Sequence, residues 1–117
     1  MWDYEFFKDS EESEPVKDFL LSLSNKHRAK VLQFIQILSE FGPNLPFPYS
    51  SQVEGKIREL RAHFGKTQYR VLYYQDSEGA FVLLHAFEKK TSKIPQRETN
   101  IAKERMAFDQ KKKCHPE

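Results

Sequence analysis

Residues 56–87 read KIRELRAHFGKTQYRVLYYQDSEGAFVLLHAF, and much of this stretch alternates with the period of two that β-strands require. Three strands are expected, over 56–63, 68–74 and 81–87. Gly65 interrupts the first connection and Asp76-Ser77-Glu78-Gly79 the second, and both are short enough for hairpins. An antiparallel meander is the natural product. Its middle strand is bulky on both sides, with Tyr69, Val71 and Tyr73 on one face and Arg70, Leu72 and Tyr74 on the other, so neither face is simply wet.

Upstream, Pro43, Pro46, Pro48 and Gly55 predict an extended loop over 43–55. Before it lie two amphipathic stripes. Val16, Phe19, Leu20 and Leu23 follow a cap expected at Ser13 and Pro15 in the first turn, while Val31, Phe34, Ile35, Leu38 and Phe41 follow Ser24 and stop at Gly42-Pro43. These make a helical hairpin. Trp2 to Phe7 alternates apolar with acidic and predicts an opening strand. Downstream, Pro95 can open a last helix reaching about Gln110, with the stripe Ile101, Arg105, Phe108. The expected fold is α+β: a small antiparallel sheet, made of the N-terminal strand and the meander, packed on a helical hairpin with a C-terminal helix and leaving one sheet face accessible.

A chain of 117 residues with ten Phe, five Tyr and one Trp can build one core and not two. Residues 1–113 are expected as a single domain and 114–117 as a polar tail, with Lys111-Lys112-Lys113 a solvated terminus. No apolar run approaches the ~20 residues of a membrane span, and the first residues lack the basic-then-apolar order of a secretion signal. A cytoplasmic protein with no membrane partner is expected. The lone Cys114 excludes a disulfide framework or multi-cysteine zinc site. Four scattered glycines make no phosphate loop, no histidines stand at metal-ligand spacing, and no serine sits in a Gly-x-Ser-x-Gly elbow. No metal and no cofactor are expected.

The net charge of +2 hides an asymmetry. Residues 1–18 carry seven acids against two bases, whereas residues 56–113 carry fourteen Lys or Arg against seven Asp or Glu. The basic half suits an anionic partner. Arg58 and Arg61 on the first meander strand, Arg70 on the second and Lys89-Lys90 just past the third can converge on one end of the accessible face. A cationic cluster on a sheet can hold phosphate. RNA can be cleaved without a metal when its own 2′-hydroxyl attacks the adjacent phosphorus, because the enzyme then needs a proton acceptor, a proton donor and cations for the phosphoryl oxygens. The alternative is that Arg70 stacks on tyrosines and the lysine pair is solvated loop.

Ile57-Arg58-Glu59-Leu60-Arg61, Tyr69-Arg70-Val71-Leu72-Tyr73-Tyr74, Leu83 to Thr91 and Ile101-Ala102-x-x-Arg105 follow one another in order. This succession resembles the RelE/ParE superfamily of toxins, and most of all its phage-derived HigB-type branch, with the pattern ELR, YRxxY, LLHxFxKKT and a late AxxR. The resemblance implies the toxin of a type II toxin-antitoxin system, a ribosome-dependent mRNA endonuclease that inhibits translation. Its partners would be the ribosome, mRNA and a cognate antitoxin of helix-turn-helix type, in a hetero-oligomeric complex. Arg70 matches the arginine expected to stabilise the charged phosphorane, Arg61 the arginine of ELR, and Lys89 and Lys90 the basic pair after the last strand.

Glu59 stands where some RelE members carry a lysine proposed to take part in proton transfer, and their C-terminal tyrosine has no clear counterpart. The general base is open. His85 is a candidate, because a neutral imidazole is a competent base near pH 7; it is expected to share a strand face with Phe81, Leu83 and Phe87, which equally suits a buried histidine. Further RNA-binding candidates are Arg58, His63, Lys66, Lys93 and Arg105, the last of which could instead pair with Glu98 or Glu104. A ParE-like inhibitor of DNA gyrase, with the same fold and no nuclease chemistry, is the alternative. Arg70→Ala is expected to abolish toxicity without unfolding the protein.

Overall fold

The computed structural model describes residues 1–114. The expected tail lies, apart from Cys114, outside them. In chain order the elements are β1 (Tyr4–Phe6), α1 (Pro15–Ser22), α2 (Asn25–Phe41), β2 (Ser50–Glu54), β3 (Ile57–Phe64), β4 (Thr67–Gln75), β5 (Phe81–Lys89) and α3 (Gln96–Lys113). The strands form one sheet in the order β1-β5-β4-β3-β2. The α+β class and the meander are as expected, but the sheet is mixed. β1 runs parallel to β5, with Tyr4 opposite Phe81, and all other pairs are antiparallel. β2 is a fifth strand inside the expected 43–55 loop: the prolines end before it, and Ser50 to Gln52 pair with Leu60 to Arg58.

Pro15 occupies the first turn of α1, where its missing N–H costs nothing. Ser13 is not the cap. Glu14 holds that position, and the Asp9 carboxylate instead accepts the backbone N–H groups of Glu11 and Ser13, at 2.9 Å each. Ser24 does open α2, and Gly42 ends it with a φ of +65°. A Cβ on Gly42 would lie 2.5 Å from the Trp2 ring, so glycine is required both by the backbone and by the packed indole. Phe41, expected in the core stripe, is 56% exposed. Ser39 takes the inner position, where its hydroxyl donates to the Trp2 carbonyl at 2.6 Å.

The sheet has two cores. Val16, Leu20, Val31, Phe34, Ile35 and Leu38 of the helical hairpin pack on the face made by Leu60, Tyr69, Val71, Tyr73 and Leu83. On the other face Ile57, Leu72, Tyr74, Val82, Leu84 and Phe87 pack beneath Ala102 and Met106 of α3, with Phe7 beside them. That face, expected to stay accessible, is thus covered by α3 over much of its area. The helix does not use the expected stripe. It buries Thr99, Ala102 and Asp109, while Phe108 is 39% exposed.

Polar contacts hold its far end instead. The Tyr74 hydroxyl donates to Asp109 Oδ2 at 2.5 Å, and Lys113 Nζ lies 2.6 Å from Glu5, 3.0 Å from Asp76 and 2.9 Å from Asp109. Lys113 is therefore pinned and not a frayed terminus. Burial and the bond to Asp109 push the Tyr74 phenol well above its usual range. Burial would lower the Lys113 ammonium, but its three carboxylate partners outweigh it and raise it.

Candidate functional site

The uncovered end of the α3 face lies beside the β3–β4 hairpin. Gly65, with a φ of +59°, lets a two-residue turn join Phe64 to Thr67, and that turn fixes which side chains meet. Arg61 and Arg70 stand directly opposite each other, with Phe87 completing the row on β5. His63, Gln68 and Lys89 form the row nearer the turn, and Glu59, Leu72 and His85 the row farther from it. Residues two apart along a strand share a face, so Arg61, Arg70 and Lys89 converge as expected.

Two like charges directly opposite repel, and Glu59 offsets the repulsion. Its Oε1 lies 2.8 Å from Arg70 Nε and 3.4 Å from Arg61 Nη1. Arg70 is only 2% exposed, and its Nη1 donates to the Tyr69 carbonyl at 2.9 Å. The Nε–H does not point along the short contact with Glu59, so that contact is ionic, without a directed hydrogen bond. Burial, reinforced by Arg61 and opposed by Glu59, lowers the Arg70 pKa.

Arg61 and Lys89 are the cations that open to solvent; the Arg61 side chain is 31% exposed and Lys89 is half-buried. Lys89 Nζ donates to the Ser92 carbonyl at 3.1 Å. Its pKa is lowered by partial desolvation and by Arg70 and Arg61, against the pull of Glu59. That shift makes the ammonium a readier proton donor. Among the described residues the site therefore gathers three cations, of which Arg61 and Arg70 contact the carboxylate of Glu59, an arrangement with positive charge in excess and suited to an anion.

The other candidates fall elsewhere. Arg58 lies on the helical-hairpin face, where its Nε donates to Ser50 Oγ at 3.0 Å; that hydroxyl in turn bonds Tyr73 Oη at 2.6 Å. The period of two places Arg58 and Arg61, three apart, on opposite faces. Lys66 is exposed in the hairpin turn, and Lys90 and Lys93 in the loop after β5. His63 is exposed on the rim, its ring centroid 5.5 Å from that of Phe34.

His85 is enclosed. The β4–β5 register shifts after Leu72, which pairs with His85 while Tyr73 pairs with Leu83, so Leu84 is the extra residue of a bulge. The bulge turns His85 and Phe87 to the α3 face, away from Phe81 and Leu83, with which they were expected to lie. Arg105 Nη1 reaches the Leu84 carbonyl at 2.9 Å and His85 Nδ1 at 3.3 Å, and His85 Nε2 lies 3.1 Å from Glu98 Oε1. A guanidinium only donates, so Nδ1 accepts and Nε2–H donates to Glu98. Burial lowers the imidazole pKa despite Glu98. The lone pair a general base would use is occupied by Arg105. The expected pairing of Arg105 with Glu98 or Glu104 is not what forms: Arg105 holds the bulge and packs over the Phe7 ring, with its Cζ 5.9 Å from the centroid.

Two features escaped the sequence reading. Glu59 is the carboxylate at the centre of the cluster, a role visible only once β3 and β4 are in register. Phe47 and Tyr49 are exposed beside it, and the Phe47 ring lies under the Arg61 guanidinium with its centroid 5.1 Å from Cζ.

Residues 18–107 match the family model described as Phage derived protein Gp49-like (DUF891). The matched span contains β2 to β5 and every side chain of the cationic cluster. No curated protein matches the chain.

Proposed function

Starting from the fact that the chain belongs to the Gp49-like family of phage-derived proteins, we propose that it is a toxin of the RelE/ParE type, in the HigB-like branch, that cleaves translated mRNA on the ribosome. The observation that carries this reading is the row pairing of Arg61 with Arg70 around Glu59, flanked by Lys89. In this reading Arg61 and Lys89 receive the phosphate. Arg70, enclosed, positions Glu59 and adds its charge from beneath. The 2′-oxygen forms the new bond to phosphorus as its proton leaves, the bond to the 5′-oxygen breaks, and that oxygen takes a proton. The products are a cyclic phosphate and a 5′-hydroxyl end. Lys89 suits the donor role, and His63, exposed in the same row, has an imidazole free to take part in proton transfer. A helix-turn-helix antitoxin is the expected regulator.

The test expresses wild type and the double variant Arg61→Ala, Lys89→Ala from a tight promoter in a bacterial host and maps RNA 5′-hydroxyl ends within minutes. New ends clustered within translated codons for wild type, reduced at least ~100-fold in the variant, are expected from the loss of charge stabilisation. Growth arrest with intact transcripts and inhibited DNA supercoiling would overturn the nuclease reading in favour of a gyrase inhibitor. The double variant is preferred to Arg70→Ala, because both its side chains reach solvent and neither is fully buried.

A further inference from the structure

We propose that Phe47 and Tyr49 form a shelf that stacks an unpaired nucleobase beside the cationic cluster. This rests on the RNA-cleavage reading of that cluster and assigns residues that reading does not use. Phe47 is 69% exposed and Tyr49 42%, both on the segment that leads into β2. The segment is held against β3 by the Arg61 N–H, which donates to the Tyr49 carbonyl at 2.8 Å. A cleft of about 210 Å³ opens there, lined by Phe34, Pro48, Tyr49, Arg61, His63 and Gln68. Rings crowd it: Phe34 lies 6.4 Å from Tyr49 and 5.5 Å from His63, centroid to centroid.

Single exposed aromatics are ordinary. Two on one short segment, with one ring already stacked on a guanidinium that belongs to an electropositive cluster, are a different arrangement. Arg61 serves both parts, since it approaches Glu59 at 3.4 Å while its guanidinium covers Phe47. A ligand matching this surface must be anionic at Arg61 and flat and apolar next to it. Single-stranded nucleic acid has that alternation along its backbone, and aromatic side chains stack its bases with little regard to sequence. Bases inside a duplex are stacked on both faces and leave none for a side-chain ring, so exposed rings favour unpaired strand. Phe47 and Tyr49 are thus positioning residues that fix the strand relative to Arg61.

The test measures binding of a single-stranded 2′-O-methyl hexanucleotide, whose nucleophile is blocked, and of its abasic counterpart, by fluorescence anisotropy over a range of salt. Wild type is expected to prefer the base-bearing strand about tenfold, the scale of one stacking contact. Phe47→Ala and Tyr49→Ala should each lose most of that preference. The salt slope of abasic binding should be unchanged in both, since the number of phosphate contacts is the same. Phe47→Leu, apolar but not aromatic, should behave like Phe47→Ala. Variants that melt as wild type does and keep the preference would overturn the shelf and point to a protein partner on these rings. Wild type that binds both strands equally, or neither, would overturn the shelf, while the nuclease reading stands or falls separately on the mapping of RNA 5′-hydroxyl ends.

Discussion

The α3 face of the sheet carries a polar cluster at each end, and the two are built in opposite ways. At one end a single cation, Lys113, is shared by the carboxylates of Glu5, Asp76 and Asp109, with Tyr74 donating to Asp109. At the other, Arg61 and Arg70 meet the carboxylate of Glu59, with Lys89 standing in the neighbouring row. The first cluster spends its charges within the protein and fastens a helix. The second leaves positive charge uncompensated on an open rim. Both contain a fully buried charged residue, Asp109 and Arg70 at 2% exposure each, so burial alone does not separate scaffold from site. The balance of charge does.

The largest effect is expected for Arg70→Ala. It strands the Glu59 carboxylate, whose side chain is 11% exposed, with only the looser Arg61 contact. Breaking a buried pair from one side costs about 3–5 kcal/mol. A fall in Tm of more than about 10 °C is predicted for a domain of this size; a normal melt would mean that the pair at the open end is not structural after all. This revises the expectation that Arg70→Ala would spare the fold. Asp109→Ala comes next, at about 2 kcal/mol, because it leaves the buried Tyr74 hydroxyl without its acceptor. RNA cleavage per folded molecule should stay at the wild-type level, and a loss in cleavage beyond the folded fraction would blur the division between the two ends.

Glu59→Gln sharpens the contrast further. Removing the one carboxylate raises the net charge of the open cluster by one, so single-stranded RNA binding at low salt should tighten several-fold, with a steeper salt dependence. Unchanged binding would show that Glu59 does not compete with an incoming anion. The smallest effect concerns pH. The folded state holds His85 below the usual imidazole pKa of about 6.5, so the unfolded chain takes up the proton first. Stability from the neutral ring is complete above about pH 6.5 and is lost as pH falls through the lowered folded value. Melting curves across pH 7 to 5 should decline less steeply for His85→Gln than for wild type. The Asp76 window is separate: burial would raise its pKa, but Lys113 and the N–H groups of Ala80 and Glu78 lower it, so its contribution fades only below about pH 3.8.

Period and turn chemistry made most elements readable from the chain. The meander, both hairpin helices and the Gly42 stop follow from residue spacing. β2 was hidden because Ser50 to Glu54 has almost no apolar alternation and follows three prolines. The parallel pairing of β1 was invisible because its partner is far along the sequence. α3 was misread in rotation, since its buried face is Thr99, Ala102 and Asp109, and its attachment is partly ionic. At the site, a cationic cluster was legible as a possibility, but the register that pairs Arg61 with Arg70 was not, and of the five cations expected there Arg58 and Lys90 fall outside it. The enclosure of His85 was not legible either, because a one-residue bulge inverts the parity of everything after it.

The pairing of β1 with β5 also sets an order of events at the ribosome. A strand at residues 4–6 leaves the exit tunnel early, yet its partner at 81–83 emerges only after the hairpin helices and three further strands. Until then Glu5 has no Asp76 and Lys113 cluster to join, and the helical hairpin lacks the strand β5 on which α1 rests. Closing so distant a contact is slow relative to forming local turns. The sheet thereby stays incomplete until β5 is out of the tunnel, and the cationic rim, which needs β3, β4 and β5 together, comes into existence only then.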